Sequence, residues 1–389
     1  MPKKNVILNL PGFIVEKTSG YDPIVFHVRY GRRNYCPHCE GKNLRKKDTF
    51  MREVRHEMIG FRLSLLRIKT YKFYCRDCGR YFNQRLPGIL KHQRATERLK
   101  EQLSQQHSHG ICQKTLSRTF KLGKATIERW YQYYYWRLNQ MIYYPECPRV
   151  LGIDEHRFGN GFATTLCNLH KHKIFDITKG RSESDLKRYL ESLNGREKVR
   201  VICIDLSSTY RSIIKKYFPN AKIVADRFHV IRQLNQQCMQ VYQQLDPNLK
   251  YHRGLLAALR TKPNNLSEKK RSTRDAYLAA NPAIAAVYSF KQELHQLLMM
   301  KHCNAYKCRE LIPTYMQMVE ALKKSPFKSL QTLGKTLYKW REEIVRMWRF
   351  TKNNGITEGF HRKMKLIQRR AYGFRNFNNY RLRVRVLCS

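Results

Sequence analysis

Three acidic residues stand where an acid contributes little to packing. Asp154 lies in the strand-like segment VLGIDEHRF, Asp205 ends the apolar, β-branched run VRVICID, and Glu358 opens a helix in NNGITEGFHRKM. Acids at the ends of buried parallel strands face the ligand crevice of a sheet. Because strand side chains alternate between faces, Asp154 and Glu155 are predicted to face opposite sides and not to serve one site together.

A trio of carboxylates suits metal-dependent phosphodiester chemistry. Cleavage of a DNA strand displaces an alkoxide in line with an attacking oxygen, and two divalent ions about 3.5–4 Å apart can activate the attacker and stabilise the leaving group. Mg²⁺ or Mn²⁺ prefers carboxylate oxygens as ligands. Each acid also has a simpler interpretation: Asp205 caps the following helix, Asp154 is a solvated strand residue, and Glu358 is a favourable acid at a helix N-terminus.

The helix that Glu358 opens has an apolar stripe and a basic face. The stripe contains Phe360, Met364, Ile367 and Ala371. We predict that the cations of this helix neutralise DNA phosphates near the cut: Arg362, Lys365, Arg369 and Arg370. Tyr372 or Phe374 could then stack on a base. The simpler interpretation is a solvated basic helix with two core aromatic residues.

Four of the twelve cysteines form two C-x-x-C pairs, Cys36 with Cys39 in CPHCEG and Cys75 with Cys78 in CRDCGRYF. Two such turns can supply four thiolates to a tetrahedral Zn²⁺ ion. The 35 residues between the pairs would form a pair of hairpins, as in a zinc ribbon. His38 could replace a cysteine as ligand, and four unrelated buried cysteines are the alternative. The other cysteines scatter, which indicates buried thiols in a reducing compartment.

The formal net charge is +47, from 76 Lys and Arg against 29 Asp and Glu. A chain this basic repels itself unless a polyanion compensates, so a nucleic acid partner is predicted. Ribosomal and other basic scaffold proteins show that such charge alone does not prove a catalytic role. No stretch approaches the ~18 apolar residues of a membrane span, so we expect an intracellular protein without a membrane partner.

Residues 91–145 are predicted to be helical, with a glycine-bearing break at residues 122–124. A helix, a tight turn and a second helix form the outline of a helix-turn-helix motif. The second helix would present Lys124, Thr126 and Arg129 to a major groove. An ordinary helical hairpin gives the same pattern, so the basic character of the chain favours the DNA-binding interpretation.

From residue 148 the pattern changes to alternating strands and helices. Three strands with turn signals between them are followed by helix, strand, helix and strand; the predicted strands are 150–157, 162–169, 173–177, 199–205 and 221–226. This is the order of an RNase H-like α/β fold. A polar helical stretch over 228–349 then separates the fifth strand from Glu358.

The two cysteine pairs, the helix-turn-helix block and four further segments resemble, in this order, the insertion-sequence transposases of the ISL3 family, which belongs to the DDE group. The segments are VLGIDEHRF, VICIDLSSTYR, KIVADRFHVIRQLN and NNGITEGFHRKMKLIQRRAYGFRNFNNYRLRV. The resemblance implies that Asp154, Asp205 and Glu358 are the catalytic, metal-binding acids of an RNase H-like core with an all-helical insertion. It implies a DNA transposase that binds terminal inverted repeats, cuts a strand and joins its 3′ end to target DNA.

Asp226 and His229 in ADRFH belong to the same family pattern. Asp226 is the main rival of Asp205 for the second metal-binding acid, and His229 could orient a carboxylate or touch the scissile phosphate. We place both next to the active site. The simpler interpretation is that both residues fix the turn between strand and helix.

The predicted chain has five parts: a zinc-ribbon domain (1–90), a helix-turn-helix domain (91–147), the first part of the RNase H-like core (148–235), a helical insertion (236–350) and the C-terminal part of the core (351–389). Double-stranded DNA, as element ends and target, is the expected partner of a homo-oligomer, such as a dimer on paired ends. We expect a bacterial cytoplasmic, nucleoid-associated protein. A DNA-binding regulator without catalysis and a structure-specific nuclease remain as alternatives.

Overall fold

The computed structural model describes residues 8–142, 146–350, 355–371 and 373–388, apart from the side chains of residues 355–358. The chain forms two compact units. The first comprises residues 1–141 with 370–372, and the second comprises residues 142–369 with 373–389. Each unit contains a sheet, helices and a hydrophobic core of its own.

The first unit contains a five-stranded sheet in the order β1-β2-β4-β3, with β5 paired to β4. Its strands are β1 (Phe13–Ser19), β2 (Ile24–Tyr30), β3 (Leu44–Ile59), β4 (Arg62–Cys75) and β5 (Tyr81–Asn83). Alternate residues of β4 are buried, as in a strand with one face on a core: Leu66 and Ile68 are fully enclosed, while Arg67 and Lys69 are exposed.

Strands β3 and β4 form one long antiparallel hairpin that turns at Gly60 and Phe61. Gly60 has a φ of +63°, a conformation that glycine adopts at little cost. The expectation of a pair of hairpins between the cysteine pairs is therefore wrong. The first half of β3 is largely exposed on both sides, so its polar residues give no alternating pattern by which a continuous strand could be predicted. Strands β1 and β2 also lie outside the predicted elements.

The described residues of the first unit also form three helices after the sheet: α1 (Glu97–Ser108), α2 (Gln113–Phe120) and α3 (Lys124–Met141). Thr96 caps α1, since its side chain accepts a hydrogen bond from the Leu99 N–H. Helix α2 ends at Lys121, which has left-handed backbone angles, and α3 begins after Gly123. The predicted break between two helices is confirmed, and Phe120 and Ile127 on either side of it are buried.

The second unit contains a five-stranded sheet in the order β10-β9-β6-β7-β8. Its strands are β6 (Val150–Phe158), β7 (Gly161–Asn168), β8 (Lys173–Lys179), β9 (Val201–Ile204) and β10 (Lys222–Ala225). The first three form an antiparallel meander, and β9 and β10 run parallel to β6. All five strands occur where the sequence predicts them.

Helices cover both faces of this sheet. The helices α4 (Glu183–Glu191) and α5 (Ser208–Tyr217) share a core with Ile153 and Ile202 on one face. Near the C-terminus, α13 (Gly355–Arg370) and α14 (Phe377–Leu387) share a core with Cys167 and Cys203 on the other face. Helix α13 therefore lies on the face of the sheet to which Cys203 points. Alternate residues of β6 and β9 point to this same face.

Helices dominate the described residues between β10 and α13, as predicted. They are α6 (Arg227–Leu245), α7 (Arg253–Arg260), α8 (Glu268–Ala280), α9 (Pro282–Met299), α10 (Ala305–Lys323), α11 (Lys328–Lys339) and α12 (Arg341–Arg349). Arg227, buried at the start of α6, donates hydrogen bonds to the carbonyls of Leu298, Met300 and Met347 at 2.6–3.1 Å. It therefore ties α6 to the C-terminal ends of α9 and α12. Among the described helices, none has the length and apolar character needed to cross a membrane.

Candidate active site

Three neighbouring parallel strands of the second unit carry acidic residues at matching positions: Asp154 lies within β6, whereas Asp205 and Asp226 directly follow β9 and β10. Ile153 of β6 pairs with Ile204 of β9, and Ile204 pairs with Ala225 of β10. The residue that follows each of them is an aspartate: Asp154, Asp205 and Asp226. Since neighbouring strands lie about 4.8 Å apart, the three residues stand side by side at the carboxyl edge of the strands. Such an edge is where open α/β sheets bind ligands.

Alternation along the strands decides which acids share a face. Cys203 of β9 packs on the α13 side, and Asp205 follows it by two residues, directly after the end of the strand. Asp154 also faces α13, because its Oδ2 lies 3.8 Å from His361 Nδ1. Glu155 faces away and accepts a hydrogen bond from Arg181 Nη1 at 3.2 Å. The predicted separation of Asp154 from Glu155 is therefore observed.

The acids affect one another electrostatically. Burial raises the pKa of the Asp154 carboxyl to about 6; the negative charges of Asp205 and Asp226 add to this rise, while the Glu155 N–H and His229 oppose it. Burial also raises the pKa of Asp205; the negative charges of Glu155 and Asp226 act in the same direction, while His229 and the Ser207 N–H oppose the rise. Burial is therefore the main reason that both carboxyls are harder to ionise than a solvated aspartate, and the neighbouring acids add to it.

Asp205 does not cap the helix that follows it. Ser207 has that role, since its side chain accepts a hydrogen bond from the Tyr210 N–H of α5. The Oδ1 atom of Asp205 is buried and has no hydrogen-bond partner in the described part of the chain. A buried carboxylate oxygen without a donor is costly unless a cation binds it.

Asp226 caps the N-terminus of α6. It is 2% exposed, and its Oδ1 accepts a hydrogen bond from the Phe228 N–H at 3.2 Å, which caps α6. His229 Nε2 lies 3.6 Å from Asp226 Oδ2. The structure therefore brings both residues to the edge where Asp154 and Asp205 stand, with Asp226 already engaged in fixing the turn.

Glu358 lies in the first turn of α13, and its side chain is outside the described part of the structure. Position 358 precedes His361, the neighbour of Asp154, by three residues, which is nearly one helical turn. Further along α13, Met364 and Ile367 are buried in the core, as predicted. The cations of the other face are exposed: Arg362, Lys365, Arg369 and Arg370.

His156 is a site residue that the sequence analysis missed. Its Nε2 lies 2.7 Å from the Tyr380 hydroxyl and 3.2 Å from the Gln368 side-chain nitrogen, and its ring is 5.3 Å from that of His361. Burial lowers the pKa of His156 to about 4, so its imidazole is neutral. Because it follows Asp154 by two residues, strand alternation alone could have placed it on the α13 side.

The four predicted zinc ligands come together in the first unit. The Sγ atoms of Cys36, Cys39, Cys75 and Cys78 all lie within 4.8 Å of one another. Each pair closes a tight turn: the Glu40 N–H donates to the Cys36 carbonyl at 2.9 Å, and the Gly79 N–H donates to the Cys75 carbonyl at 3.0 Å. Four sulfurs at this spacing are typical of a structural Zn²⁺ site.

His38 is not part of the cysteine cluster. Its Nδ1 lies 3.4 Å from Arg80 Nη1, and its backbone N–H points to Cys36 Sγ at 3.4 Å instead. Four cysteines, without a histidine, therefore form the ligand set among the described residues.

The residues predicted to face DNA differ in exposure. Lys124 and Arg129 of α3 are exposed, while Thr126 is half-buried and accepts a hydrogen bond from Arg129 Nη2 at 3.3 Å. Phe374 packs on Tyr380 with ring centroids 5.2 Å apart, as expected for a core aromatic residue. Tyr372 lies outside the described residues.

Comparison with known proteins shows the family of the chain. A family model described as a transposase, for the ISL3 group of DDE enzymes, matches residues 151–384. A second model, described as the zinc-finger of transposases of IS204, IS1001, IS1096 and IS1165, matches residues 32–78. The chain therefore belongs to the ISL3 family of DDE transposases. It is a DNA transposase, and its class cleaves and joins phosphodiester bonds.

Two curated relatives illustrate the match. The transposase for insertion sequence element IS1001 of Bordetella parapertussis is 25% identical over 368 residues, which cover 90% of this chain and 88% of the relative. A Lactococcus lactis protein named as an ATP-dependent protease is 24% identical over 178 residues, or 44% of this chain and 54% of the relative. The present sequence lacks the phosphate-binding pattern G-x-x-x-x-G-K-[S/T] of many ATPases.

Proposed function

We propose that this transposase cuts and joins DNA at a site formed by Asp154, Asp205 and Glu358. The observation that carries the proposal is the register of the strands: Ile153 and Ile204 are paired, so the two aspartates that follow them stand on neighbouring strands and share a face. Helix α13 lies on that face and brings position 358 within one helical turn of His361, which contacts Asp154.

The donor set fits Mg²⁺ or Mn²⁺. Carboxylate oxygens are the ligands that these hard ions prefer. Asp205 Oδ1 is buried without a hydrogen-bond partner in the described residues, and burial raises the pKa of both Asp154 and Asp205, so a cation would relieve the charge. Bound ions would activate the attacking oxygen and stabilise the leaving oxygen of the displacement.

The protein's own groups would position the reacting strand. Asp226 fixes the first turn of α6 and holds His229 beside the acids, where His229 can contact the scissile phosphate. His361 would keep Asp154 in place from the α13 side. We therefore favour Asp205, rather than Asp226, as the second metal-binding acid, because Asp226 already accepts the capping hydrogen bond.

We assign the second unit to the RNase H-like fold. The support is its sheet, in which an antiparallel meander is extended by two parallel strands on the side of β6. The helical region from the second half of α6 to α12 would then be the insertion between the second and third acids. This assignment keeps the boundaries predicted for the core and the insertion, 148–235, 236–350 and 351–389.

The first unit would recognise the terminal inverted repeats of the element. We propose that α2 and α3 act as a helix-turn-helix motif, in which Lys124, Thr126 and Arg129 of α3 meet the major groove. The zinc ribbon, residues 1–90, would contact the backbone and fix the register. A Zn²⁺ ion held by the four cysteines would stabilise this ribbon, consistent with their spacing.

The basic face of α13 would bind DNA next to the cut. Its exposed cations, Arg362, Lys365, Arg369 and Arg370, match the phosphates that flank a scissile bond. Since transposition joins two ends of one element, we propose a homodimer on paired ends, acting in the bacterial cytoplasm at the nucleoid.

A strand-cleavage assay tests the proposed site. The purified chain is incubated with Mg²⁺ and a duplex that carries the inverted repeat flanking its gene. Asp154→Asn, Asp205→Asn and Glu358→Gln should each lower cleavage by at least about 10³-fold while end binding stays within about twofold, because each change removes a metal ligand. Glu191→Gln, an exposed acid of the same unit, is the control. Cleavage at the normal rate by any of the three variants would contradict the assignment.

A further inference from the structure

A groove of about 470 Å³ follows the outer face of α6 from the active-site edge. It starts at Phe228, two residues after Asp226, and continues past Arg232, Asn235, Gln236 and Gln240. From Phe228 to Gln243 the helix rises about 22 Å, the length of several nucleotides. The groove therefore begins at a residue two positions from Asp226, near the place where the scissile phosphate would lie.

Phe228 is an exposed aromatic residue on a fixed backbone. It is 49% exposed, although it follows a buried strand and stands in the first turn of a helix. Its N–H donates to Asp226, and its ring contacts the His229 ring edge to face at 5.5 Å. By contrast, Phe374 is packed on Tyr380. Phe228 thus offers a free ring face next to the acids, on which a base can stack.

The chemistry of the groove fits one strand of nucleic acid. Arg232 and Arg260 are exposed cations that line it, and no acid of the described residues lines it. Between the cations stand the side-chain amides of Asn235, Gln236 and Gln240, which can donate to and accept from the edges of bases. A strand within a duplex would not offer the Watson–Crick edges of its bases to this groove, because those edges are paired.

We propose that the groove along α6 binds the unpaired DNA strand next to the cut, with Phe228 stacked on the first unpaired base and Arg232 and Arg260 on phosphates. This inference rests on the proposed function only in placing the scissile phosphate at Asp154 and Asp205. Binding there would hold open the base pairs beside the cut and fix the strand for the in-line reaction. Stacking tolerates any base, so Phe228 would accept whichever nucleotide stands first beside the cut.

A photo-crosslinking experiment tests the groove without requiring cleavage. The full chain binds a duplex that carries the inverted repeat and has three unpaired nucleotides next to the cut, the first of them 5-iododeoxyuridine, and the crosslinked peptide is identified after irradiation. We expect the crosslink at Phe228 and a yield at least about 5-fold lower for Phe228→Ala. Tyr306→Ala, which removes another exposed aromatic residue of the second unit, should leave the yield unchanged. A crosslink elsewhere, or equal yields for both variants, would overturn the proposal.

A kinetic measurement separates this proposal from the active-site assignment. On a fully paired end, Phe228→Ala should slow cleavage about 10-fold. The rate should return to within about 3-fold of the wild type when the flanking nucleotides are already unpaired, or when position 228 carries tryptophan. If Asp154→Asn abolishes cleavage but Phe228→Ala does not slow it, the groove is refuted and the active site stands. If the crosslink forms at Phe228 but Asp154→Asn still cuts, the active site is refuted and the groove stands.

Discussion

Asp154 and Asp205 follow Ile153 and Ile204, two residues in direct parallel register, so acids from distant parts of the sequence stand on neighbouring strands. Both carboxyls have a raised pKa, chiefly because they are buried. Placing two buried acids side by side costs stability in the absence of a cation. Divalent ions bound by the two carboxylates would offset this loss of stability.

Metal binding should therefore stabilise the protein. We predict that 10 mM MgCl₂ or MnCl₂ raises the melting temperature of the wild type, since a ligand at 100 times its Kd adds about 2.7 kcal/mol to the free energy of unfolding. Asp154→Asn and Asp205→Asn should lose this increase, because each removes a ligand oxygen. Differential scanning calorimetry with and without metal measures the effect. Glu191→Gln should keep the increase, and an equal increase in the aspartate variants would contradict the site.

The zinc centre should be necessary for the first unit. Cys39→Ser should lower bound zinc to a small fraction of one ion per chain and unfold the ribbon, because structural Zn²⁺ contributes about 10–16 kcal/mol in small zinc domains. Elemental analysis and the loss of end binding measure this outcome. The matched control is Cys112→Ser, a half-exposed free cysteine of the same unit, which should keep its zinc. Full zinc content in Cys39→Ser would exclude the proposed ligand set.

Arg129 should contribute to end recognition through α3. Arg129→Ala is expected to weaken binding of the inverted repeat by about 1–3 kcal/mol if its guanidinium contacts a base, with little change in binding to unrelated DNA. Fluorescence anisotropy at two salt concentrations distinguishes the loss of a base contact from the loss of a phosphate contact. Loss of a phosphate contact would weaken binding to both the inverted repeat and unrelated DNA, and would make binding less dependent on salt. Arg309→Ala removes an exposed arginine of the second unit and should change neither. If Arg129→Ala bound the inverted repeat as tightly as the wild type, the proposed recognition by α3 would be contradicted.

The sequence predicts the second unit better than the first. The five strands of the second unit are buried and rich in β-branched residues, so their positions follow from the pattern, and Asp205 falls directly after β9 as predicted. In the first unit, half of β3 is exposed and carries charged residues, so the long hairpin leaves no periodic signal. Strand pairing between β2 and β4 is parallel and non-local, and no local pattern encodes it.

Side-chain contacts between distant elements could not be predicted from the sequence either. Arg227 donates to three carbonyls at the ends of two other helices, and nothing in ADRFH identifies those partners. The capping roles of Ser207 and Asp226 likewise became apparent only from the hydrogen bonds. These bonds are the reason that we propose Asp205, rather than Asp226, as the second metal ligand.

The buried Lys291 should make the free energy of unfolding depend on pH. It is 2% exposed, donates to the Leu259 carbonyl at 2.9 Å, and burial lowers its pKa to about 8. Between pH 8 and about 10.5 the unfolded chain binds a proton that the folded chain has lost, so this residue makes stability rise with pH. The rise should amount to about 3 kcal/mol.

Lys291→Met should lack that contribution. Thermal or urea unfolding at pH 7.5 and pH 10.5 measures the difference between variant and wild type, and other titrating groups cancel in that difference. Relative to the wild type, the variant should become less stable by about 3 kcal/mol as the pH rises over this interval. A difference that does not change with pH would show that the Lys291 pKa is not lowered.

The most direct test of the central claim is a change of metal specificity at position 205. In the cleavage assay, Asp205→Cys should be inactive with Mg²⁺ and regain at least about a tenth of the wild-type rate with Mn²⁺, because a thiolate binds the softer ion far better. Asp226→Cys, the matched variant at the rival acid, should show no such dependence on the metal. Manganese rescue at position 226 and not at position 205 would contradict the account.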